Sequence, residues 1–105
     1  MNDSHHHGKL DEDMKADFGK VEINSQRLRS FWEEVNTFGL NAETGGINRC
    51  GYTSADTEAI SWLVKKLESD GFAVTVDGVS NVIGRIGPKE GPTIMCGSHL
   101  DSVPE

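Results

Sequence analysis

The chain has 105 residues, with 17 Asp or Glu against 10 Lys or Arg and a net charge of −7 at neutral pH. Its 35% apolar content and 12 glycines are ordinary for a globular protein and exclude a disordered polyelectrolyte. No apolar run nears the roughly 18 residues that a membrane span requires, and the acidic balance argues against nucleic acid or an anionic membrane surface as partner.

Residues 1–20 read as a flexible polar leader. They carry His5, His6 and His7 in a row, a tag-like cluster or a loose transition-metal site. No apolar signal segment follows Met1, and Cys50 and Cys96 are too few for a disulfide framework or a closed thiolate zinc site. A reducing, cytoplasmic location is therefore expected.

From Val21 the pattern changes, and residues 21–105 form one structured region. Asn24 and Ser25 are both suited to cap a helix, and Leu28, Phe31, Trp32, Val35 and Phe38 recur at helical spacing up to Gly39. The expectation is a packing helix over 25–38 with this stripe in the core. Asn41 to Tyr52 is a turn-rich connection holding Gly45, Gly46 and Gly51; without a preceding strand or a Lys-Ser/Thr ending it is no phosphate loop.

A second helix starts at Thr53 or Ser54, with Asp56 near its amino end, where the helix dipole favours anions. Ala59, Ile60, Leu63, Val64 and Leu67 supply its apolar face, and Gly71 stops it. Three strands are then expected. The first is 72–76, before the Asp77-Gly78 turn, and the second 81–86, weakened by Gly84. After a Gly-Pro loop, Thr93 to Cys96 forms a buried third, with Cys96 a small buried apolar group. The fold class is α/β: two helices followed by three strands of a mixed sheet.

The chemistry concentrates at Gly97-Ser98-His99-Leu100-Asp101-Ser102. In extended backbone, residues two apart share a side, so Asp101 lies beside His99 while Leu100 points into the protein. A metal-bound imidazole typically donates its other N–H to a carboxylate, which fixes the tautomer. The same spacing also describes a minor surface ion pair. Ser98 lacks the elbow and following helix of a nucleophilic serine.

With these residues in view, the chain resembles the amino-terminal part of the N-carbamoyl-L-amino-acid hydrolase and allantoate amidohydrolase family. Those proteins belong to the aminoacylase and carboxypeptidase-like di-metal hydrolases. The matching pieces are Ile23-Asn24, Arg27-Leu28, Phe38-Gly39, Gly45-Gly46-Ile47-Asn48-Arg49, Asp77, Asn81, Gly84-Arg85 and the Gly97–Ser102 stretch. The family usually has Gly where Ser80 stands; if that turn needs positive φ, Ser80 costs roughly 1 kcal/mol.

The resemblance implies a larger zinc-peptidase-like catalytic domain in which His99 is a metal ligand and Asp101 the carboxylate that orients it. It further implies two divalent metals per full site, with zinc first and manganese, cobalt or nickel as alternatives. The implied reaction is hydrolysis of a carbamoyl or ureido C–N bond in a small-molecule substrate by a homodimeric parent. Because a catalytic metal needs about three protein ligands, the chain alone is expected to be inactive. The competing expectations are a non-catalytic α/β module that associates with a partner or with itself, and a related dipeptidase or aminoacylase.

Overall fold

Asn24 opens the first helix as a side-chain cap: its Oδ1 accepts the Arg27 N–H at 3.0 Å, satisfying an amide that has no partner inside the helix. The helix, α1, runs Ser25–Val35. Beyond it the turn tightens, with Thr37 N–H donating to Glu34 O and Phe38 N–H to Val35 O, until Gly39 at φ +81° breaks away. The computed structural model describes residues 20–105; the expected leader, with His5, His6 and His7, lies outside the described residues apart from Lys20.

The chain divides between Ser30 and Phe31 into two units. In the first, the described residues 20–30 are all exposed, Leu28 among them. The second unit holds everything that follows. Only part of the expected α1 stripe is covered: Phe31, Val35 and Phe38 are half-buried, whereas Trp32 is exposed. The ring of Trp62 meets Phe31 edge-on and Phe38 at a tilt, each with centroids 6.4 Å apart. Glu34 fixes the same indole by accepting its Nε1–H at 2.9 Å.

Helix α2 spans Ser54–Ser69, as the periodicity predicts. Its end is a Schellman turn: Phe72 N–H reaches Leu67 O at 3.0 Å and Gly71 N–H reaches Glu68 O, with Gly71 at φ +87°. Among the described residues, Ala59 is the one apolar residue that is fully buried. The chain then forms an antiparallel pair, β1 (Ala73–Val76) and β2 (Val82–Arg85), in register from Ala73 opposite Arg85 to Val76 opposite Val82. At Gly84 the missing side chain permits close packing: a Cβ there would lie 3.2 Å from Leu67 Cδ1 and 3.3 Å from the Phe72 ring.

The third strand does not form, and the sheet is antiparallel rather than mixed. Residues 93–96 pair with nothing among the described residues, and Ile94 is 99% and Met95 83% exposed. Cys96 is exposed too, against the expectation of burial. The physical reason is pairing. An apolar run becomes a strand only where a neighbour takes its backbone groups and a layer covers both faces. Among the described residues none pairs with 93–96, although both strands of the hairpin keep an open edge, and no layer covers Ile94 or Met95.

Candidate functional site

The potential site lies where the start of α2, the hairpin turn and the His99 strip (residues 98–105) border an open groove of about 300 Å³. The wall from α2 is apolar, with Ile60 and Leu63; Val79 and Val82 add to it from the hairpin. Tyr52 closes one side. Its backbone sits at φ +64°, a conformation that costs an L-residue about 1–2 kcal/mol. Two bonds hold it there: the Tyr52 N–H donates to Asp56 Oδ2 at 3.0 Å, and its hydroxyl donates to Val79 O at 3.1 Å. Asp56, expected simply to favour the helix dipole, is 7% exposed and is spent on that turn.

The hairpin turn is built on Asp77. Its Oδ1 accepts the N–H groups of Val79 and Asn81 at 3.0 and 2.8 Å, and its Oδ2 the Asn81 side-chain amide at 2.8 Å. These bonds favour the ionised carboxylate and hold its pKa below the ordinary aspartate value, the Asn81 side chain most of all. Ser80 takes φ +68°, so the turn does need the left-handed backbone that glycine would adopt without strain.

The structure brings His99 and Asp101 together. His99 Nδ1 lies 3.0 Å from Asp101 Oδ1 and 3.0 Å from the Asp101 carbonyl oxygen. Two acceptors at Nδ1 select the tautomer that carries its proton there, leaving the Nε2 lone pair for a ligand. The imidazole is 78% and the carboxylate 49% exposed on the groove's border. Leu100, between them, is half-buried.

This pair fits one position of a metal shell with its orienting carboxylate. It does not make a shell: among the described residues no three His, Cys, Asp or Glu side chains come together. No chemical step through a metal follows from these residues alone.

What fixes the strip is a set of residues that sequence reasoning left without a role. Arg49 is 6% exposed. Its Nε donates to Leu100 O at 2.9 Å, and one terminal nitrogen donates to Val35 O and Phe38 O at 2.9 and 2.8 Å, at the end of α1. Its backbone pairs with Ser102 in both directions: Arg49 N–H to Ser102 Oγ at 2.9 Å, and Ser102 N–H to Arg49 O at 2.8 Å.

Further along, the Glu105 carboxylate accepts from Thr44 Oγ1 and from the amides of Asn41 and Asn48. The Thr44 hydroxyl chiefly, with both amides, lowers the Glu105 pKa against the opposing effect of partial desolvation. The only sequence signal for Arg49 was its place after Gly45-Gly46-Ile47-Asn48. Hydrophobic period says nothing about which carbonyls a guanidinium will gather.

No family model matches the chain, and no solved structure matches it. Three named proteins do. A Mycolicibacterium smegmatis protein named "Putative hydrolase" is 34% identical over 89 residues, which is 81% of this chain and 20% of that protein. An N-carbamoyl-L-amino-acid amidohydrolase of Pseudomonas sp. is 35% identical over 88 residues, 79% of this chain and 20% of that protein. A Pyrococcus abyssi protein named "Putative LysW-lysine/LysW-ornithine hydrolase" is 40% identical over 52 residues, 50% of this chain and 15% of that protein. The chain thus spans about a fifth of the length of the first two relatives. Over about four-fifths of its own length it is similar to hydrolases.

Proposed function

We propose that the chain is one segment of a longer metal-dependent hydrolase that cleaves the carbamoyl or ureido C–N bond of a small substrate. The observation that carries this reading is the His99–Asp101 contact of 3.0 Å bordering the groove. The similarity to a protein named for N-carbamoyl-L-amino-acid hydrolysis supplies the substrate class. In this reading Asp101 holds the Nδ1 proton and Nε2 of His99 serves as one ligand of a divalent metal, zinc or a metal of similar preference. Held there and by ligands of the longer protein, divalent metal would supply Lewis acidity for the substrate carbonyl and for a water. The rest of the ligand shell, and the subunit partner of a homodimer, belong to the longer protein.

The test is a chimera of the Pseudomonas amidohydrolase carrying this chain's matching residues in place of the segment they match. The chimera is expected to hydrolyse N-carbamoyl-L-amino acids in a metal-dependent way. His99→Ala abolishes turnover, and Asp101→Ala lowers it roughly 10–100-fold, the usual cost of losing a ligand's orienting carboxylate. The 105-residue chain by itself gives no turnover above background. A chimera whose activity survives His99→Ala overturns the proposal.

A second reading, a non-catalytic module that self-associates, rests on the exposed Ile94 and Met95. An inactive chimera together with concentration-dependent sedimentation of the 105-residue chain would favour it.

A further inference from the structure

We propose that Arg49 is the positioning residue of the His99–Asp101 pair, an inference that rests on the reading of that pair as a metal ligand and its orienting carboxylate. Asp101 is held by its two neighbours, and Arg49 holds both. On one side the guanidinium Nε takes the Leu100 carbonyl at 2.9 Å. On the other, the Arg49 main chain exchanges bonds of 2.9 and 2.8 Å with Ser102 Oγ and N. The peptide that presents the carboxylate is therefore clamped at both ends by one residue more than fifty positions away.

The clamp is anchored, because the guanidinium also grips Val35 O, which already accepts the Phe38 N–H of the closing turn, and Phe38 O just beyond it. A cation at a helix C-terminus is favoured by the helix dipole. Among the described residues no carboxylate pairs with this nearly buried charge; carbonyls alone receive it. A planar guanidinium donates in several fixed directions from one rigid group, which a lysine ammonium on a flexible stem does not reproduce. By contrast the strip has no sheet to hold it, since residues 97–105 lie outside any strand. Without Arg49, the φ and ψ angles that bring Asp101 Oδ1 to His99 Nδ1 lose their main restraint.

The experiment uses the whole 105-residue chain with His5, His6 and His7 each changed to Ala, which leaves His99 as the sole imidazole. Long-range proton–nitrogen spectra at pH 8 report the tautomer of His99, and amide exchange reports the backbone. In Arg49→Lys, the Nδ1–H tautomer is expected to give way toward the Nε2–H form, and the Ser102 amide to exchange on the order of tenfold faster. Amides of α2 at Leu63, Val64 and Leu67 keep their protection within about twofold, so a general loss of fold is told apart from a loss of aim. An unchanged tautomer in a folded Arg49→Lys chain overturns the proposal, as does equal loss of protection in α2 and at Ser102.

If Arg49→Lys does not fold, Ser102→Ala decides. It removes the hydroxyl bonds to Arg49 N and Ile47 O while leaving the guanidinium in place. A smaller tautomer change in the same direction supports the clamp, and no change overturns it. None of these readouts involves metal or turnover. They therefore stand apart from the chimera, whose insensitivity to His99→Ala would sink the function and not the geometry.

Discussion

Residues 53–85 and the pairing of loop 39–49 with the His99 strip are held by different physics. In the first, contacts are close in sequence and largely apolar. Helix α2 stops at a Schellman turn, Phe72 folds back, and Leu67 and Phe72 close over Gly84 of β2. In the second, hydrogen bonds join residues 51 to 64 positions apart: Arg49 to Leu100, Ser102 to Ile47, and Glu105 to Asn48, Thr44 and Asn41. Apolar burial is tolerant of angle, whereas a hydrogen bond weakens steeply when misaligned. The region that must aim an imidazole is accordingly the one built from directional contacts.

The sharpest way to break that comparison is at Gly39. It sits at φ +81°, its carbonyl accepts the Asn48 N–H at 2.8 Å, and an added Cβ would lie 2.8 Å from the Asn48 carbonyl carbon. Backbone cannot yield as a flexible side chain does. Gly39→Ala should cost about 2–3 kcal/mol, the left-handed penalty plus displacement of the loop. The urea midpoint measures the total. Amide exchange at Ser102 and Asn48, compared with α2, shows whether the loop and strip open first. Simultaneous opening with unchanged α2 order would mean the two regions are one cooperative unit.

Ser80→Gly sharpens the comparison from the other side with a smaller effect of opposite sign. Serine at φ +68° bears the left-handed penalty, and glycine removes it while adding entropy to the unfolded chain. The net is a gain of about 0.5 kcal/mol, read as a higher urea midpoint. The hairpin should gain protection and the His99 strip should not. A lower midpoint would show that the serine side chain contributes more than its backbone strain costs.

The difference between the regions also explains what the sequence disclosed. Helix α2, its stop at Gly71 and the turn at Asp77-Gly78 follow from local rules of period and capping, and the structure has them. The conditional cost at Ser80 came instead from the resemblance, which puts Gly at that position, and the φ of +68° meets its condition. The same rules misread Thr93 to Cys96, because apolar content signals a strand only when a neighbour exists, and they placed too much of the α1 stripe in the core. Period two put Asp101 beside His99, since that contact spans two residues. It was silent on Arg49, Tyr52 and Glu105. Their roles rest on carbonyls and amides gathered from distant positions, and no local pattern encodes that arrangement.

Asp77 gives the smallest expected effect and a direct test of how local the hairpin is. Its pKa is depressed by bonds made within four residues, the Asn81 side chain foremost. A group with a lowered folded pKa contributes stability that is present above its unfolded value, about 3.9 for aspartate, and lost as pH falls through the folded value. The urea midpoint should therefore hold level above about pH 5 and drop below about pH 4. Asp77→Asn cannot ionise, so its midpoint should lie lower near neutrality and approach the parent's in acid. Glu105, lowered by Thr44, Asn41 and Asn48, acts in the same pH direction from the other region. The two are separated by place: Asp77→Asn should flatten the acid response of the Val79 and Asn81 amides and leave that of the Ser102 amide intact. Parallel acid curves for Asp77→Asn and the parent at all of these amides would mean the turn carboxylate contributes nothing through its charge, leaving Asn81 and the strand pairing to hold the hairpin.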